Sequence, residues 1–213
     1  MTDQWWHVCW LSLGFTALFV AAEVMHRKFG VASEWSRKFM HISGGLLSLL
    51  LPQLFDNPWF VFGLVVAFGG LLWGSRRLGW LDSVHRVDRK SDGSLLFPLP
   101  ILLCFLLAWA RHDWVLFRLP ILILVLADPA AFLVGRVWPL RPWTMGANRK
   151  TLGGSLAFML AALACSLYFL PENPALAVVV SLLTAAAEAL SVRGWDNLTV
   201  PLVAAGTLAA VAP

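Results

Sequence analysis

Two carboxylates stand in surroundings where a charge needs a reason, and a third lies close by in sequence. Asp128 interrupts the apolar run from Leu126 to Gly135 with Pro129 directly behind it, Glu188 lies deep in another apolar segment, and Asp196 follows in a short polar turn beside Asn197. A carboxylate near the middle of a membrane helix costs about 2.5 to 3.5 kcal/mol to insert, so it normally faces protein or water and serves a purpose. Three basic stretches accompany them: Arg37-Lys38-x-x-His41-x-x-Gly44-Gly45, Arg89-Lys90-x-x-Gly93-Ser94 and Arg149-Lys150-Thr151-x-Gly153-Gly154-Ser155. Each sets a basic pair and small residues where a helix starts, and free backbone N–H groups and the helix dipole favour an anion there. Glycine admits a phosphate close to the backbone, and Lys or Arg supplies the neutralising charge. If Asp128, Glu188 and Asp196 converge beside these loops, they pair cation-holding carboxylates with phosphate ligands, as phosphoryl transfer requires. None of the loops has the Gly-Lys-Ser/Thr spacing of a P-loop, so a Walker-type ATP site is not expected.

Each feature also has a plain structural explanation. Basic pairs set orientation at a membrane edge, and glycines let helices pack. Asp128-Pro129 reads as an N-cap and first helical residue, which predicts a helix broken at that point, with the carboxylate at the break placed to hold Mg²⁺. Asp196-Asn197 reads equally as a turn and cap. His41 shares a helix face with Arg37 and Lys38, where it either meets a phosphate or lipid hydroxyl or anchors the helix at the interface. Glu23, at the inner end of the first segment, reads as a snorkelling side chain.

The elements that must position these residues are membrane helices. With 59% of its 213 residues hydrophobic and 13% charged, the chain exceeds the roughly 45–50% apolar content of soluble domains. Eight segments approach the length of a bilayer span: residues 5–25, 39–55, 58–74, 94–110, 114–137, 153–171, 174–191 and 197–212. The expected fold is therefore all-α, a single polytopic membrane domain over residues 1–213. Fourteen of the sixteen basic residues fall after segments one, three, five and seven, which predicts cytoplasmic loops there and both termini on the opposite side. The longer, polar connections lie on that cytoplasmic side, so the active site is expected there. The three cysteines, Cys9, Cys104 and Cys165, sit in apolar runs without metal-ligand spacing. Confinement of the net charge of +4 to short loops argues against nucleic-acid binding.

In order along nearly the whole chain, the stretches Arg37-Lys38-x-x-His41-x-x-x-Gly45, Arg89-Lys90-x-x-Gly93-Ser94, Ala127-Asp128-Pro129 through Gly135-Arg136, Lys150-Thr151-x-x-Gly154-Ser155, and Glu188-x-x-Ser191 with Asp196-Asn197 resemble the CTP-dependent lipid-alcohol kinases. That family includes dolichol, phytol and farnesol kinases and the yeast-type diacylglycerol kinase. The resemblance implies transfer of the terminal phosphate of CTP, or another nucleoside triphosphate, to the hydroxyl of phytol, another prenol or a polyprenol. It also implies Mg²⁺ or another divalent cation. Carried onto this chain, Asp128 and His41 become the catalytic candidates. Lys90, Gly93, Ser94, Arg136, Arg149, Lys150, Thr151, Gly154 and Ser155 would hold the nucleotide, and Asp128, Glu188 and Asp196 the metal.

Alternatives of other classes stay open at this stage. A diacylglycerol kinase shares the same motifs. Phosphatidate cytidylyltransferases share the Asp-containing helix and the Lys-Thr/Ser-x-x-Gly loop, but their carboxy-terminal signature has no counterpart here. A transporter would explain intramembrane carboxylates, yet the polar residues gather at one face and no second half repeats the Asp-Pro pair.

Overall fold

A computed structural model describes residues 2–81, 83, 92–146 and 148–211. Each of the eight apolar segments is helical over most of its length: α1 (Thr2–Phe29), α2 (Ser33–Ser48) with the short α3 (Leu51–Leu54), α4 (Pro58–Leu78), the short α5 (Gly93–Leu96) with α6 (Pro98–Arg111), α7 (Val115–Val137), α8 (Leu152–Phe169), α9 (Pro174–Leu190) and α10 (Asp196–Val211). Among the described residues, five helical stretches are long and apolar enough to cross a membrane, namely Gln4–Phe29, Pro58–Leu78, Gly93–Arg111, Val115–Val137 and Leu152–Phe169. Helices α9 and α10 are apolar but shorter.

Local chemistry sets the helix ends. Asn57 and Asn173 cap α4 and α9 by accepting from the backbone N–H of Trp59 and Leu176, each at 3.0 Å, with proline in the following position. Gly79 closes α4 in the left-handed region at φ 69°, which costs glycine little. Thr151 caps α8, its hydroxyl accepting from the Gly154 N–H at 3.0 Å.

Helix α7 is the axis of the molecule. It packs against α2, α6, α8 and α10, and Phe117, Leu119, Ile121, Ile123, Leu124, Val125 and Ala127 are wholly buried along it. The expected break at Asp128–Pro129 is not there: α7 runs unbroken through both residues to Val137. Proline removes the bond its nitrogen would give to the carbonyl four residues back. In an apolar interior, however, unwinding the helix would strand several more backbone groups. Tertiary packing against the neighbouring helices, with Pro129 itself buried, overrides the local signal.

A second departure from the all-α expectation lies between α7 and α8. Strands β1 (Pro142–Met145) and β2 (Asn148–Thr151) form an antiparallel hairpin with Pro142 opposite Thr151 and Met145 opposite Asn148. This polar connection is too short for periodicity to betray it. The hairpin fixes Arg149 and Lys150 on a defined strand leading straight into α8.

The two ends of the bundle differ in chemistry. At one end, Arg136 lies 3.9 Å from Glu34, Asp92 takes Arg76 at 3.0 Å and Arg193 at 3.3 Å, and Asn197 donates to the Gly93 carbonyl at 2.8 Å. These contacts gather the connections that follow α1, α4, α7 and α9. At the other end, His7 bonds the Leu54 carbonyl at 2.8 Å, Trp109 the Asp56 carbonyl at 3.1 Å and Arg111 the Ala209 carbonyl at 2.9 Å.

Candidate active site

Close helix crossings bring the chemistry together. Where α2 crosses α7, a Cβ on Gly45 would overlap Val125 Cγ2, so glycine there lets α2 lie directly on α7. One to two turns towards the basic end, Lys38 and His41 then face Asp128. Lys38 Nζ donates to Asp128 Oδ2 in a largely buried ion pair, and His41 Nε2 stands 3.7 Å from the same oxygen. The other crossing joins α7 and α8. A Cβ on Gly154 would stand 2.9 Å from the Ala131 carbonyl and 3.4 Å from Gly135 Cα, which brings the start of α8 and the hairpin alongside Asp128.

Lys150, delivered by β2, reaches α9. Its Nζ donates to Glu188 Oε1 and, at 2.6 Å, to the Glu188 carbonyl. The second carboxylate oxygen, Glu188 Oε2, is buried and has no hydrogen-bond partner among the described residues; the same is true of Ser155 Oγ. A charged oxygen left in this condition is costly unless something else satisfies it.

Two cavities meet at these residues. The first, about 1410 Å³ including its open mouth, is polar and is lined by Arg136, Arg149, Lys150, Thr151, Gly154, Ser155, Glu188 and Asp196, together with Lys38 and Asp128. The second, about 1100 Å³ including its mouth, is chiefly apolar and runs between α1, α2, α4 and α6 past Phe15, Met40, Leu64 and Phe68; its polar end carries His41, Asn197 and the same Lys38, Asp128 and Asp196. A charged compartment and an oily one thus share one wall, and Asp128 and Lys38 stand in it.

The expected metal ligands Asp128, Glu188 and Asp196 all line the polar cavity. Among the described residues, no group of three His, Cys, Asp or Glu side chains is arranged to hold an ion by itself. Oxygen-only donors with one buried carboxylate oxygen left over suit Mg²⁺, which keeps waters and substrate phosphate in its shell rather than requiring a full protein cage. The residues therefore fit the ion as one shared with a phosphate.

Other expected site residues take different places. Gly93 and Ser94 line the apolar cavity rather than the polar one, and Gly93 packs where a Cβ would meet Asn197 Nδ2 at 2.8 Å. Lys90 lies outside the described residues. Thr151 accepts from the Gly154 N–H as a helix cap, and both residues line the polar cavity. His41 Nε2 donates to the Leu124 carbonyl at 3.0 Å, one turn before Asp128. That nitrogen therefore carries a hydrogen and is held by the backbone at this turn.

Lys38, which pairs with Asp128 and lines both cavities, is a residue that sequence reasoning left off the candidate site. Its spacing of three from His41 on one helix face was the available signal. What the sequence lacked was the partner across α7, ninety residues away.

Compared with known proteins, the chain is 29% identical over 205 residues to a protein of Synechocystis sp. named phytol kinase, and the match covers 91% of this chain and 88% of that protein. No family model matches the chain. No solved structure matches it.

Proposed function

We propose that this chain, whose membership of the lipid-alcohol kinase family is supported by its relation to phytol kinase, moves the terminal phosphate of a nucleoside triphosphate to the hydroxyl of a prenol such as phytol. The observation that carries this reading is the pair Lys38–Asp128 standing where the polar and apolar cavities meet. A nucleotide phosphate and a lipid hydroxyl differ so much in polarity that each needs its own compartment, and transfer needs one point common to both. CTP as the donor rests on the family resemblance, and the cytoplasmic location of the polar mouth on the distribution of basic residues among the loops.

In this reading the triphosphate occupies the polar cavity with Arg136, Arg149 and Lys150 along it. The prenol hydroxyl lies at the polar end of the apolar cavity. Its oxygen attacks the terminal phosphorus as the bond to the departing diphosphate oxygen breaks, and Asp128 takes the hydroxyl hydrogen. The products are a prenyl phosphate and a nucleoside diphosphate. Lys38 holds the Asp128 carboxylate in place beforehand and stands beside the transferred group as charge moves. Lys150 exchanges Glu188 for phosphate, which frees Glu188 to face the cation together with Asp196. Bound Mg²⁺ supplies charge neutralisation across the terminal phosphates. The apolar walls exclude water, which would otherwise compete as acceptor.

The test uses purified protein in mixed micelles with phytol, Mg²⁺ and CTP labelled either at the α or at the γ phosphorus. Label from the γ position alone in the lipid product is expected. Label from the α position, with pyrophosphate released, would make the enzyme a nucleotidyl transferase, and no lipid label with any alcohol would end the kinase reading.

A further inference from the structure

The apolar cavity has a floor, and from it we infer that the protein measures its acceptor, accepting short prenols and refusing long polyprenols. This inference rests on the proposed kinase activity and narrows its substrate class. On α2 and α3 the cavity lining runs from Lys38 and His41 through Gly44 to Ser48 and Leu51, and on α4 it runs from Leu72 back to Val61. At 1.5 Å of rise per residue both paths give a depth of about 15 to 20 Å. Saturated carbon chains advance about 1.25 Å per bond, so the cavity holds a chain of about 12 to 16 carbons between the reacting hydroxyl and its far end.

The far end is closed by packed protein. Leu11, Ser48, Leu51 and Val61 line it, and all four are buried. Beneath them Phe55, almost wholly buried, stacks on Phe60 with ring centroids 6.0 Å apart, and Trp5 meets Phe60 edge-on at 5.1 Å. His7 stands edge-on to Phe55 and holds the Leu54 carbonyl at 2.8 Å, tying α1 to α3 under the floor. On one side the wall between α1 and α4 is made of rings, with Phe68 4.8 Å from Phe15 and 6.4 Å from Phe19. A chain running past this end of the cavity would have to displace Leu51, Val61 and the buried Phe55 ring packed beneath them.

The experiment compares turnover of farnesol, geranylgeraniol, phytol and a long polyprenol by the full-length enzyme, alone and with Leu51→Ala or Val61→Phe. Steep loss of turnover beyond geranylgeraniol and phytol is expected. Leu51→Ala should raise the long-to-short turnover ratio by about fourfold for each additional carbon it seats, and Val61→Phe should lower it by a like factor. The ratio is read within one preparation, so a variant that folds poorly does not distort it, and the wild-type series decides the matter if neither variant can be made. Polyprenol turnover equal to that of phytol would overturn the inference, as would a length limit that neither floor substitution moves. Failure to phosphorylate any alcohol would instead refute the kinase reading beneath it.

Discussion

Lys38 Nζ donates to Asp128 Oδ2 across the α2–α7 interface, and this one ion pair lines both the charged cavity and the apolar one. An Asp in an apolar helix is expensive alone. Set against Lys38, with the Leu124 carbonyl held by His41 one turn away, it becomes a fixed charge at the boundary of two solvents. The pair also explains why Gly45 is small, since any larger residue would push α2 away from Val125.

Gly45→Ala should therefore impair activity without touching either cavity's chemistry. Its added methyl would overlap Val125 Cγ2, and overpacking of this kind costs about 1 to 3 kcal/mol. Thermal melting in detergent should fall, and prenol phosphorylation should fall further as Lys38 moves from Asp128. Pairing Gly45→Ala with Val125→Ala should restore part of both; no recovery would mean the crossing does not set the site.

Lys150→Met should weaken nucleotide binding and leave Glu188 without its partner. Truncating one side of a buried ion pair costs about 3 to 5 kcal/mol, so Lys150→Met combined with Glu188→Gln should melt higher than Lys150→Met alone. Calorimetric titration with the nucleotide would show affinity unchanged if Lys150 has no phosphate to meet.

Glu188→Gln by itself should raise the Mg²⁺ concentration needed for half-maximal activity, because the buried oxygen that has no partner among the described residues is replaced by part of an amide that carries no charge. Chelation of divalent cations should abolish transfer in the unaltered protein. A Mg²⁺ dependence identical to wild type in Glu188→Gln would remove Glu188 from the cation site.

At His41 the two roles predict different outcomes. If it positions α7 by donating to the Leu124 carbonyl, His41→Gln, which keeps a donor, should retain more activity than His41→Ala and show the wild-type pH profile. Equal loss in both variants, together with a changed pH profile, would make it a proton-transfer residue.

The sequence made the helices, their order and the grouping of the basic loops legible, because apolar length and charge position are local properties. Asp128 and Glu188 were legible as charges in apolar segments, and with Asp196 they line one cavity. What escaped were facts that depend on packing. Pro129 signalled a break that the helices around α7 suppress, and the close packing that the missing Cβ of Gly154 allows against Ala131 and Gly135 has no local signature. The hairpin bearing Lys150 is too short to carry a period. The Lys38 partnership and the apolar cavity join elements far apart in the chain, and no local pattern encodes either.

The account stands or falls on the Lys38–Asp128 junction. In the double variant Lys38→Met, Asp128→Asn both members of the buried pair lose their charge together, so neither is left uncompensated. Measured by transfer of γ-label from CTP to phytol, with nucleotide and prenol binding followed in the same protein, this variant is predicted to bind both substrates and to lose transfer by at least about a hundredfold. Transfer near the wild-type rate would contradict the assignment of the reaction to the wall between the two cavities.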